Sequence, residues 1–173
     1  MKKILLLCFA VLLLCQATAF AHTMPKEEMY IGGVGFGCTL GYVKDIYGEP
    51  QEIIWKETGK SGTKMGITYY VTYKYSDAFK VIGRKHERDS SPEDEITVVS
   101  VILKDNSLST PSGFTVGMPY AAIVEIFGEG QKYTHQGRTW YDYSGTRYLG
   151  ALVMEVFVDS SDTITEIKVC SQH

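Results

Sequence analysis

The chain has 173 residues, with 17 Lys and Arg against 20 Asp and Glu and a formal net charge of −3. That length suits one domain or two small repeats. A mildly acidic chain with no basic stripe argues against nucleic acid or an anionic lipid surface as its partner.

Residues 1–21 read as a cleavable export signal. Lys2 and Lys3 precede an uninterrupted apolar run at 4–14, and Ala19-Phe20-Ala21 supplies the small-x-small ending. The run is too short to span a bilayer, which takes about 20 residues. Leu7 and Leu14 stand before Cys8 and Cys15, where lipidation needs a small residue. Cleavage after Ala21 leaves 15 basic and 20 acidic residues, net −5, in the periplasm or the medium and without a membrane anchor. Only Cys38 and Cys170 survive it. Two alternatives stay open for this candidate disulfide. In an oxidising compartment the pair bridges, closing nearly the whole chain for roughly 4 kcal/mol, or the thiols lie too far apart.

The most informative feature is internal. Residues 37–51 recur as 117–131, without a gap and eighty positions on. Gly37/Gly117, Ile46/Ile126, Gly48/Gly128, Glu49/Glu129 and Gln51/Gln131 are identical, while Val43/Ile123, Asp45/Glu125 and Tyr47/Phe127 keep their character.

In chain order, the glycine-rich stretch 31–37 comes first. It lacks the GK[ST] ending and the βαβ setting of a phosphate loop, so its glycines serve backbone geometry. A short helix follows, capped by Thr39 and carrying Leu40, Val43, Ile46 and Tyr47 on one face. Gly48 stops it in a left-handed turn and Pro50 blocks its continuation. The period then changes to two, with strands at 68–75 and 97–103. Between them, residues 84–94 form a charged segment absent from the second copy, read as a solvated hairpin tip. Pro111-Ser112-Gly113 marks the joint. Pro119 then opens a second helix presenting Tyr120, Ile123, Val124 and Phe127, and Gly128 ends it. Strands at 139–143, 149–158 and 163–169 complete the chain. The expected class is α+β: two tandem repeats, 22–110 and 111–173, each a short helix (or helix pair) on an antiparallel meander.

This repeated pattern, Gly-x5-(Val/Ile)-x2-Ile-(Tyr/Phe)-Gly-Glu followed by strands, resembles the beta-lactamase inhibitor protein superfamily, which includes the SmpA/OmlA outer-membrane assembly lipoproteins. The resemblance runs from Gly37 to about Val169 and implies two units side by side, presenting a concave sheet to a protein partner. Two departures stand out. The tandem inhibitors carry a disulfide within each repeat and the assembly proteins an acylated cysteine, whereas this chain has one cysteine in each half.

Aromatic residues crowd the strands. Trp55, Tyr69, Tyr73, Tyr75, Tyr141 and Tyr143 are the candidate partner-binding set, because tyrosine and tryptophan combine large contact area with a polar handle. Alternation puts aromatics on both faces of 68–75, so one set faces away from the helix. No cofactor, metal or catalytic motif is present: His22, His86, His135 and His173 make no ligand spacing, and neither a G-x-S-x-G elbow nor a C-x-x-C pair occurs. The sequence therefore suggests an exported, non-catalytic protein-binding module, inhibitor-like or accessory to the envelope. An envelope assembly factor, and a small-molecule binder or enzyme using a groove between the repeats, are the alternatives.

Overall fold

A computed structural model of the chain describes residues 23–63, 66–145 and 151–172. The export signal expected at 1–21 and the expected start of a strand at 149–150 lie outside the described residues.

Three two-residue strands open the fold: β1 (Thr23–Met24), β2 (Tyr30–Ile31) and β3 (Val34–Gly35). Helix α1 (Leu40–Tyr47) precedes β4 (Glu52–Gly59), β5 (Ile67–Lys74), β6 (Phe79–His86) and β7 (Thr97–Leu103). Helix α2 (Ala121–Phe127) precedes β8 (Gln131–His135), β9 (Arg138–Gly145), β10 (Ala151–Val158) and β11 (Ile164–Gln172).

The expected α+β pair of helix-on-meander units is not what forms. The described residues are mostly β, with two short α-helices laid on a single nine-stranded mixed sheet. The strands run β4-β5-β6-β7-β11-β10-β9, and the outer side of β9 is shared by antiparallel β8 and parallel β1. The cause is direct pairing of β7 with β11, from Ile167 opposite Leu103 to Cys170 opposite Ser100. That ladder joins both stretches of strand into one sheet over one core. Long-range pairing of this kind leaves no trace in local periodicity.

Local signals at the helices are met. Thr39 Oγ1 accepts the Tyr42 amide at 3.2 Å. Gly48 and Gly128 sit at φ of 76° and 75°, a conformation other residues avoid, and their amides reach back to Lys44 O and Val124 O. Pro119 lies one residue before the α2 cap and its carbonyl accepts the Ala122 amide. Leu40, Val43 and Ile123 are fully buried, and Tyr120 nearly so. Ile46 and Ile126, identical in both segments, point into solvent instead.

The charged segment is not a free hairpin tip. Arg84, Lys85 and His86 belong to β6, and Glu93–Glu95 form a 3-10 turn docked on α1, where Lys44 meets Asp94 at 2.9 Å and Glu93 at 3.7 Å. A second polar tie holds the N-terminal turn at Lys26–Glu28. Buried Glu28 accepts Thr110 Oγ1, the Ser112 amide and Ser112 Oγ, locking the start of the fold to the link between β7 and α2. The glycine-rich stretch supplies the β2–β3 hairpin, and Gly32 N donates to Ser109 O at 2.9 Å.

Candidate functional site

Directly paired residues in an antiparallel ladder share a face, so the registers sort the sheet into two surfaces. One row runs Ile53, Tyr73, Val81, Val101, Val169, Met154, Tyr143 from β4 to β9. Apart from Ile53 at the edge, every member of it is buried. The core, including α1, α2 and the segment around Phe114, lies on this side alone.

All six expected partner-binding residues fall on this covered face. Tyr73 and Tyr143 are 0% exposed and Tyr141 is 4%, so these three are core. The Tyr143 hydroxyl donates to Gly128 O at 2.8 Å and lies 2.8 Å from the Tyr120 hydroxyl, tying β9 to the end of α2. Tyr75 does the same for α1, donating to Gly48 O at 3.1 Å. Tyr73 donates to Glu93 at 2.5 Å, and burial first, then this bond, raises its pKa. Trp55 and Tyr69 pack edge to face with centroids 6.4 Å apart, at the margin beyond the core, and Trp55 stays 48% exposed. The sequence correctly places aromatics on both faces; within the candidate set, Tyr73, Tyr141 and Tyr143 serve the core.

The other face carries the chemistry. Around β8–β10, Tyr133 stacks on Trp140 and Trp140 on Phe157, both with centroids 5.6 Å apart. The Arg138 guanidinium lies 4.3 Å over the Phe157 ring, and its Nη2 donates to Glu166 at 2.8 Å, while Lys104 stands 3.2 Å from the same carboxylate. A cation held over an aromatic ring by a buried acid is fixed in position.

Beside this stack, Asp142, Glu155 and Lys168 form one row across β9, β10 and β11. Lys168 Nζ donates to Glu155 at 2.8 Å, and the Cys170 thiol lies 3.5 Å from the other oxygen of that carboxylate. Burial, and then the Glu155 charge, push the Asp142 carboxyl up to about 6, partly offset by a hydrogen bond from Trp140. The same two causes push the Cys170 thiol up to about 11, which keeps it protonated and a poor nucleophile at neutral pH. Ser100 Oγ and Asp142 Oδ1 are buried without a hydrogen-bond partner among the described residues.

Toward β4, the same face opens into a groove. Thr58, Gly59, Gly66, Thr68, Tyr70, Arg84 and His86 line a concavity of about 620 Å³. Lys56, Thr72 and Ile82 extend it. This groove crosses β4–β6. The seam where the halves meet carries Ser100, Cys170 and Val153, each nearly buried, so the expected groove between repeats is closed by strand pairing.

The two cysteines do not bridge. Both are free: Cys38 packs against the core on the covered face, and Cys170 points to the open face beside Glu155. The sheet itself separates them. Sequence reasoning missed Asp142, Glu155, Glu166, Lys168, Arg138 and Ser100, and left Tyr70, Tyr133 and Trp140 unselected. The usable signal was parity: once the apolar positions of a strand are assigned inward, the intervening residues define the open face.

No family model and no curated protein matches the chain. Among solved structures, a DUF4309 family protein, YjgB from Bacillus subtilis, is similar at 13% identity over 90% of this chain and 91% of that one. The TM-score of 0.43 is too low for the likeness to carry an argument.

Proposed function

We propose that the chain is an exported, non-catalytic binding protein that receives a protein partner on the open face of its sheet. The observation that carries this reading is the Tyr133–Trp140–Phe157 stack with Arg138 pinned over it by Glu166. Stacked aromatics and a preorganised arginine lose little freedom on binding and are the residue types that dominate interface energetics. The protonated Cys170 and the absence of a G-x-S-x-G or metal-ligand pattern give the face recognition chemistry rather than a nucleophile.

A photo-crosslinking side chain placed at Tyr70, Tyr133 or Trp140 in exporting cells should trap one protein identifiable by mass spectrometry. The same group at Tyr69 or Tyr75, on the covered side of the sheet, should not. Equal trapping from both sets would overturn the assignment of the face.

A second reading has its own support. The groove lined by Tyr70, Arg84 and His86 has the size and mixed polarity of a small-ligand site. In that case an Arg84→Ala change abolishes ligand-induced thermal stabilisation while leaving trapping at Trp140 intact.

A further inference from the structure

The sheet ends very differently on its two sides. The outer flank of β9 is occupied by β8 and β1, whereas β4 pairs only with β5 among the described residues, and all eight of its residues are exposed. Ile53, Ile54 and Trp55 stand in a row on it, each more than two-fifths exposed. A long apolar edge is a template for another strand.

The direction of its free backbone groups follows from the registers. Glu87 N donates to Ile67 O at 2.8 Å, so odd-numbered residues of β5 turn their peptide groups to β6. Even-numbered residues of β5 therefore serve β4, where their partners are Glu52, Ile54, Lys56 and Thr58. Ile53, Trp55 and Glu57 are left with N–H and C=O pointing outward.

We propose that β4 is a self-association edge, pairing antiparallel with β4 of a second copy about a two-fold axis beside Ile54. In that register Ile54 meets Ile54, Glu52 meets Lys56 of the other copy, and Lys56 meets its Glu52. Ile53 and Trp55 form the hydrogen-bonded pairs on either side of the axis, which their outward groups require. Neighbouring registers fail. One sets Ile54 against Lys56 and another against Glu52, while a third brings Lys56 against Lys56. The strand's charges thus exclude misaligned pairing and reward one alignment. Glu52 sits 3.5 Å from Lys74 within its own chain, but Lys74 also holds Asp77 at 2.8 Å, so Glu52 is free to leave. A single edge is a small contact, and the dimer belongs to the weak class.

Sedimentation equilibrium on the protein recovered from cells expressing the full chain tests this. The unaltered protein should show a concentration-dependent monomer–dimer equilibrium. Glu52→Lys alone and Lys56→Glu alone should each weaken it about tenfold, since two pairs per dimer become repulsive. An equimolar mixture of the two variants, or the double exchange in one chain, should restore it. Unchanged melting curves establish that each variant folds. A chain that stays monomeric to about 1 mM, association indifferent to either exchange, or a mixture that fails to recover it each overturns the proposal.

Discussion

The two faces of the sheet hold the same kinds of side chain to opposite ends. On the covered face, Tyr141 and Tyr143 are core, and the Tyr143 hydroxyl completes a helix end. One residue away on β9, Trp140 lies on the open face, stacked between Tyr133 and Phe157. On β5, Tyr73 is fully buried while Tyr70 lines an open groove. An aromatic residue's role here is set by strand parity, not by residue type, because a one-position shift moves a side chain through the sheet.

The largest effect should come from breaking the covered side. Tyr143→Ala removes a buried ring and the partner of Gly128 O and Tyr120, and should cost about 4 kcal/mol in urea unfolding. Glu28→Ala, on the same side, leaves Thr110 and Ser112 without their acceptor and should cost about 2 kcal/mol, with early proteolysis near the β7–α2 link.

The open side should respond in the opposite sense. Asp142 holds its proton more tightly in the folded chain than in the unfolded one. The folded state therefore binds the extra proton between the ordinary carboxylate range and about pH 6. Stability contributed by this group falls as pH rises through that window and stays lower above it. Asp142→Asn should raise stability at pH 7 by about 1 kcal/mol, less than full linkage because the group is partly solvated. The gain should vanish near pH 4, which thermal melts at the two pH values will read. Smallest of all, Trp55→Ala should shift stability by about 0.5 kcal/mol or less, against about 1 kcal/mol for Trp140→Ala, which loses its stacking partners.

Much of the local structure was legible. Thr39, Gly48 and Gly128 signalled helix ends through capping and left-handed geometry, and β7 could be read because Val99, Val101 and Leu103 recur at period two. Besides the two-residue β1, β2 and β3, three longer strands were not. β4 buries nothing, so it has no inside–outside pattern to detect. In β6 the alternation of Phe79, Val81 and Gly83 with Lys80, Ile82 and Arg84 runs into the charged segment that follows, and β8 is exposed throughout. The union of β7 with β11 rests on pairing between residues more than sixty positions apart, which no window of sequence contains. The candidate site failed for a narrower reason. Tyrosine is favoured both for strand packing and for binding, and only the position of the core decides between them.

Nitration of native protein by tetranitromethane, mapped residue by residue with mass spectrometry, tests that division most directly. Tyr133 and Tyr70 should be modified in the folded chain, and Tyr73, Tyr141 and Tyr143 only after denaturation. Modification of Tyr141 or Tyr143 at the rate of Tyr133 would mean that the face assigned to the core is the open one.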